Sequence, residues 1–128
     1  MKNELYSTLF EYLYPLISNL NEFQIDENEE SEIGKKERIL IEGCYRSQNP
    51  DYITRIQPLL LRYQESEKNL LFIIRITYET EFFDDALKYC NYGLEHYPEA
   101  SDLIRNVVCF FGIPIILVIQ IVYGVEVN

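Results

Sequence analysis

The sequence predicts an all-α protein, and three observations favour that class. Apolar residues recur at steps of three and four along successive segments, which is the spacing of one helix face. No segment shows the sustained alternation of apolar and polar residues that a half-buried strand would show. Proline, asparagine and serine stand between the segments, where helices begin and end. The short connections predict that neighbouring helices are antiparallel in a small bundle.

Composition limits the function classes. The chain has 128 residues, which favours a single domain, and its net charge of −10 opposes nucleic-acid binding, since that binding depends on cationic side chains. Three scattered cysteines without a CxxC pair argue against a disulfide framework and against a zinc site. We therefore expect neither a metal nor a cofactor.

The N-terminal part is expected to contain one amphipathic helix and a linker. The helix is predicted over 4–20, where Pro15 should kink or split it near Tyr14. The acidic stretch 21–34 is expected to be a solvated linker, with an acidic lure for a basic partner as the alternative. The last acidic residues of this stretch could also stabilise the N-terminus of the next helix, because the helix macrodipole is positive there.

Local signals define the remaining helices. Asn49-Pro50 and Tyr97-Pro98 should each end a helix, because the residue before proline avoids the helical region. Ser66 is predicted to be an N-cap, and Pro58 is predicted to bend the helix that contains it. The expected helices cover residues 35–48, 51–64, 67–80 and 82–96.

A degenerate repeat lies in the middle of the chain. Within residues 70–98, small Ala86 follows Tyr78 by eight residues, Gly93 follows by seven more, and Pro98 closes the unit. This spacing is typical of a tetratricopeptide unit, whose small residues let two helices approach. Residues 38–64 form a weaker copy. The sequence thus predicts a small tetratricopeptide-like helical bundle of two degenerate repeats plus a capping helix.

An apolar segment follows the bundle. Residues 107–125 contain no charged side chain, and at about 1.5 Å per residue a helix of this length would span about 28 Å, close to the thickness of a bilayer core. We expect a C-terminal transmembrane helix that makes the chain tail-anchored. The alternative is a soluble helical protein-interaction module whose apolar tail packs into a partner or a dimer. The expected organisation is an N-terminal helix and acidic linker over 1–34, a tetratricopeptide-like domain over 35–105 and a membrane anchor over 106–128.

The sequence predicts a partner-binding surface and no enzyme. His96 is expected at the C-terminal end of its helix, where the dipole favours it, and Asp84-Asp85 in the first turn of the same helix, so neither indicates catalysis. In a tetratricopeptide pair, the first helix of each unit lines a concave groove. Mixed aromatic and cationic side chains there suit a peptide with acidic and apolar residues. The residues expected to line that groove are Arg38, Ile41, Tyr45, Lys68, Leu71, Arg75 and Tyr78.

A family resemblance rests on specific positions, covering about residues 35–105 and the type of anchor. They are Arg46-Ser47, Ile53 and Leu59-Leu60 in the first unit, and Tyr78, Ala86-Leu87-Lys88-Tyr89, Leu94 and Pro98 in the second. In these positions the chain resembles the mitochondrial fission-1 protein family.

The resemblance implies an adaptor. Proteins of that family lie in the mitochondrial outer membrane, often also on peroxisomes, and help recruit a dynamin-related GTPase directly or through a bridging adaptor. Their N-terminal segment can fold over the groove and regulate it. This chain departs from the pattern at Ile56, which replaces a small residue, and at its end, where no basic residue follows the apolar segment. Basic residues after the anchor help to select mitochondria in that family, so the resemblance leaves the organelle open, with the endoplasmic reticulum as another location. It also leaves open whether the chain forms a homo-oligomer.

Overall fold

The computed structural model describes residues 2–17, 28, 30–99 and 105. The described residues form six helices and no strand, which confirms the all-α prediction for this part of the chain. The helices are α1 (Lys2–Ile17), α2 (Glu32–Arg46), α3 (Pro50–Arg55), α4 (Gln57–Tyr63), α5 (Glu67–Glu79) and α6 (Phe83–His96).

Helix α1 is continuous over Lys2–Ile17. Pro15 lies within it and does not split it near Tyr14, so of the two expected effects the split does not occur. Proline has no N–H to donate to the carbonyl four residues back, at Glu11, so it removes one bond from the helix without interrupting it. Phe10 and Leu13 lie on the inner face and are buried, so α1 contributes to the core.

Helix α2 begins at Glu32, three residues earlier than predicted. The side chain of Ser31 accepts a hydrogen bond from the N–H of Gly34 at 2.9 Å, which caps the helix. Glu32 stands in the first turn, where the positive end of the dipole favours an acid. The boundary expected between residues 34 and 35 therefore lies inside α2.

The segment predicted as one bent helix consists of two helices, α3 and α4. The break is at Ile56, whose N–H still bonds to the carbonyl of Tyr52 at 3.1 Å. Pro58 stands in the first turn of α4, where its missing N–H would have no helical partner. The Gln57 side-chain amide donates to the carbonyl of Ile53 at 3.2 Å. The proline therefore starts a helix here instead of bending one.

Helices α5 and α6 form a hairpin. Ser66 caps α5 and accepts from the N–H of Asn69, as predicted. The turn after α5 places Glu81 at a φ of 67°, and the N–H of Phe82 bonds back to the carbonyl of Thr77 at 2.9 Å. This is the Schellman arrangement, which normally uses glycine at the left-handed position. Helix α6 ends at His96, directly before Tyr97-Pro98.

Helix α2 is central to the bundle. It packs along α1, where Gly43 brings its backbone close to the carbonyl of Tyr6, and it also contacts α3 and α5. The largest fully buried side chains come from every helix of the bundle except α3, and from the break at position 56. They are Tyr45, Tyr63, Phe10, Leu40, Ile41, Ile56, Leu59, Leu60, Leu70, Ile73, Ile74 and Leu94.

Two contacts establish that α2 and α5 run parallel. In the second turn of α2, Arg38 Nη2 donates to Oδ1 of Asn69, in the first turn of α5, at 2.7 Å. Near their ends, Arg46 Nη2 lies 3.3 Å from Glu79 Oε2. This alignment places the two helices side by side and brings their exposed sides next to each other.

Candidate functional site

Helix α5 presents an exposed stripe that mixes cations with apolar side chains. Lys68 and Arg75 are exposed, and they are seven residues apart, which puts them on the same side of the helix. Leu71 and Tyr78 are half-buried beside them. The four residues predicted on this helix therefore lie together at or near the surface.

The three residues predicted on α2 are instead buried. Ile41 and Tyr45 expose no surface, and Arg38 exposes only 8%. The expectation that they face a groove is wrong, because α2 is packed on several sides. Tyr45 contacts Phe82 edge to face and its hydroxyl lies 3.4 Å from Asp85 Oδ2, so it fills the space between α2 and α6.

The exposed side of α2 is a narrower stripe at positions 35, 39, 42 and 46. Ile39 is 41% exposed there, although its neighbours Arg38 and Leu40 are buried. Glu42 and Arg46 form an ion pair at 2.7 Å with the spacing of one helix turn. That i,i+4 charge pair is the signal in the sequence that could have identified the exposed side of α2.

Arg46 joins the two stripes into one surface. Its guanidinium bonds to Glu42 on its own helix and to Glu79 on α5. The hydrogen bond to Glu42 raises the pKa of Arg46 above its ordinary value. We call the combined surface the α2–α5 face; it consists of Lys35, Ile39, Glu42, Arg46, Lys68, Leu71, Arg75, Tyr78 and Glu79.

The apolar part of the face continues onto α6. The ring of Tyr78 meets that of Phe83 edge to face, with centroids 5.6 Å apart, and Phe83 is 49% exposed. Sequence reasoning missed Phe83, because it stands directly before Asp84-Asp85 in the first turn of a helix.

A polar network lies beneath the face. Arg38 donates to Asn69 and, through Nη1, to the carbonyl of Gly34 at 3.1 Å, and its guanidinium lies over the rings of Tyr63 and Phe72. The hydroxyl of Tyr63 donates to Glu37 Oε1 at 3.2 Å. Buried groups of this kind are positioned by their hydrogen bonds and keep α2, α4 and α5 in register.

The ionisable groups elsewhere have structural surroundings. Burial raises the pKa of the Cys90 thiol to about 12, and it raises the pKa of Cys44 as well, so neither forms a thiolate at neutral pH. His96 lies at the end of α6, with Nδ1 2.8 Å from the carbonyl oxygen of Tyr92. Within residues 2–17, 30–99 and the two single described positions, no group of three His, Cys, Asp or Glu residues could hold a metal ion.

The predicted membrane segment 107–125 lies outside the described residues, as does most of the stretch that precedes it. None of the helices that the structure describes has both the length and the apolar character needed to cross a bilayer.

Comparisons of the chain with protein-family models, with curated proteins and with solved structures find no match. The resemblance to the fission-1 family therefore depends on the positions named in the sequence, and the α2–α5 face has to be interpreted from its own chemistry.

Proposed function

We propose that the protein is a membrane-anchored helical adaptor, similar to the mitochondrial fission-1 family, that recruits fission machinery to an organelle surface. The partner would be a dynamin-related GTPase or its adaptor, and the surface would be the mitochondrial outer membrane, with peroxisomes and the endoplasmic reticulum as alternatives. In this proposal α2 with α3 and α4 forms one tetratricopeptide-like unit, and α5 with α6 forms the second. Helix α1 caps the first unit.

The packing of α5 against α6 supports this assignment. The two small residues of the repeat, Ala86 and Gly93, are both buried on α6, and the unit ends at Pro98. Small side chains at these positions let the paired helix approach closely, as the repeat requires. The parallel course of α2 and α5 is the relation expected between the first helices of two successive units.

The observation that carries the proposal is the exposure and the ion pairing of the Lys68 and Arg75 side chains. Both are exposed on the α2–α5 face, and neither forms an ion pair with any residue that the structure describes. The chain has 21 acids against 11 Lys and Arg, so carboxylates for pairing are abundant. Two cations left open beside apolar side chains favour an acidic ligand.

Apolar neighbours define the rest of the expected ligand. Leu71 and Tyr78 flank the cations, and Phe83 extends the patch. Aromatic anchors supply most of the affinity at protein interfaces, while complementary charges steer the encounter and set the orientation. The face therefore suits a partner segment that carries acidic and apolar residues together.

Recruitment to vesicles tests the face. The full chain is reconstituted into phosphatidylcholine vesicles, and binding of a dynamin-related GTPase is measured by co-flotation, with and without its adaptor. We expect the double variant Lys68→Glu, Arg75→Glu to lose recruitment, because it replaces attraction with repulsion. Lys88→Glu is the matched control, since Lys88 is also exposed and lies on α6, away from the α2–α5 face. Equal recruitment by the double variant and the wild type would reject the proposed surface.

Carbonate extraction tests the anchor separately. Segment 107–125 has 19 uncharged residues, 13 of them Val, Ile, Leu or Phe, and insertion should favour retention in the membrane pellet. Release into the supernatant would instead support the soluble module whose apolar segment packs into a partner or a dimer.

A further inference from the structure

Helix α1 carries a second apolar stripe, which lies beside its buried face. Leu5, Leu9, Tyr12 and Leu16 follow one another at steps of four, three and four residues. Leu5 and Tyr12 are each 67% exposed and Leu16 is 57% exposed, while Leu9 is partly buried and packs against the edge of the core. This spacing is that of a coiled-coil seam, in which alternate steps of three and four bring apolar side chains against a second helix. We call these four residues the α1 seam.

The charges around the α1 seam are compatible with a second copy of the chain. The positions that would flank it in a paired helix are Tyr6, Thr8, Leu13 and Pro15, and all four are uncharged. In coiled coils these flanking positions determine partner choice through attraction or repulsion. Two copies can therefore bring their seams together without facing like charges, although each chain has a net charge of −10.

The course of the chain gives the relative direction of the two copies. Tyr6 of α1 lies against Gly43 near the end of α2, so the C-terminal end of α1 lies where α2 begins. The hydroxyl of Tyr97 bonds to the carbonyls of Gln64 and Glu65 at the turn before α5, which is the same end of the bundle. The described residues directly after α6 thus lie at the end of the bundle at which α1 finishes.

We propose that two copies of the chain pair through their α1 seams, side by side and in parallel, when both are held in one membrane. This inference rests on the proposed anchor, because copies that enter one membrane from the same end of the bundle have their α1 helices pointing the same way. Leu5 then faces Leu5, Tyr12 faces Tyr12, and Leu16 faces Leu16 of the other copy.

The size of the seam makes this pairing dependent on the membrane. An aromatic side chain presents about 150–250 Å², and a leucine side chain presents less. Four partly exposed residues therefore offer at most on the order of 500 Å² per copy, compared with about 800 Å² per partner in a stable interface. Confinement in a membrane raises the effective concentration of the second copy, as linking two modules does. Free chains are thus expected to be monomeric at dilute concentration, and anchored chains to be dimeric.

Disulfide crosslinking of the full chain in phosphatidylcholine vesicles tests the pairing. The background variant Cys109→Ser leaves only the buried Cys44 and Cys90. In that background, Leu5→Cys and Leu16→Cys should each form a crosslinked dimer on oxidation. A mixture of the two variants should give no dimer that joins position 5 to position 16. Adding Tyr12→Lys to Leu5→Cys should remove the dimer, since it puts like charges opposite each other.

Leu61→Cys is the matched control, because Leu61 is 52% exposed on α4 and is not part of the seam. Crosslinking of this control to the same extent would show random collision and overturn the proposal, as would dimers that join only position 5 to position 16. Flotation of the chain with the vesicles but without a crosslink would contradict the pairing alone. Failure to float would contradict the anchor and the parallel pairing together.

Discussion

Arg38 donates a hydrogen bond from Nη2 to Oδ1 of Asn69 at 2.7 Å, and this bond links the second turn of α2 to the first turn of α5 beneath the α2–α5 face. Both side chains are buried. A guanidinium only donates, so it orients the amide with its oxygen toward Arg38. Nδ2 of Asn69 then has no hydrogen-bond partner among the described residues. Asn69 therefore serves as an acceptor for a buried cation.

Replacement of Asn69 should destabilise the bundle. Asn69→Ala leaves a donor of the buried Arg38 guanidinium without its acceptor, which is expected to lower the free energy of unfolding by about 1–3 kcal/mol. Urea unfolding followed by circular dichroism measures the loss. Asn91→Ala on α6 is the control, since Asn91 is only half-buried and should change stability by less than the Asn69 variant. Equal losses in the two variants would contradict the assigned role.

The two glycines of α2 should respond in opposite directions to alanine. A Cβ at Gly34 would collide with the carbonyl of Asn28 and come within 2.9 Å of Ser31 Oγ, so Gly34→Ala should destabilise the start of α2. A Cβ at Gly43 would lie 3.5 Å from the carbonyl of Tyr6, which is an ordinary contact. Gly43→Ala should therefore gain up to about 1 kcal/mol from helix propensity. Thermal unfolding of both variants checks the signs, and a stable Gly34→Ala would refute the close approach.

Helix boundaries could be predicted where local chemistry determines them. The side chain of Ser66 caps a helix and the ring of Pro98 stops one. The structure accordingly begins α5 directly after Ser66 and ends α6 directly before Tyr97-Pro98. The start of α2 was missed because an acidic run was interpreted as linker, although Ser31 and Glu32 provide a cap and a favourable first-turn charge. The break at Ile56 was missed because Pro58 can either bend a helix or begin one, and tertiary packing decides between the two.

The candidate surface could be predicted on α5 and not on α2. Helix α5 has a single exposed side, so the positions of Lys68 and Arg75 followed from helical spacing alone. Helix α2 packs against α1 on one flank and against α5 on another, so most of its apolar and mixed positions are buried. The tetratricopeptide-like spacing does not reveal which positions of α2 contact α5. For that reason it assigns Ile41 and Tyr45 to the groove.

The turn between α5 and α6 should be stabilised by glycine at position 81. Glu81 has a φ of 67°, in the left-handed region where a side chain is strained and glycine is not. Glu81→Gly is expected to raise the free energy of unfolding by about 0.5–1 kcal/mol. Glu65→Gly provides the comparison, because Glu65 also lies in an exposed turn but has no positive φ, and it should not gain stability. Chemical denaturation of the two variants decides, and a loss at position 81 would count against the strained turn.

The buried cysteine thiols and tyrosine hydroxyls of α2 and α6 should make the stability of the fold sensitive to alkaline pH. Burial raises the pKa of Cys90 from 9.0 to about 12 and that of Tyr89 from 10.0 to about 12, and it raises the pKa values of Cys44 and Tyr45 in the same direction. The folded chain therefore keeps protons that the unfolded chain loses. Stability is fully present below about pH 9 and should fall as the pH rises, by about 1.4 kcal/mol per pH unit for each group that titrates only in the unfolded chain.

Cys90→Ala isolates one of these groups. The variant lacks a buried thiol and should be less stable than the wild type at pH 7, because it leaves a small cavity in the core. Between pH 9 and 12 its stability should fall less steeply, since one titrating group is missing, so the two curves of unfolding free energy against pH should converge. Urea midpoints at intervals of half a pH unit would show this. Curves that stay parallel across that window would mean that the Cys90 thiol does not couple folding to proton binding.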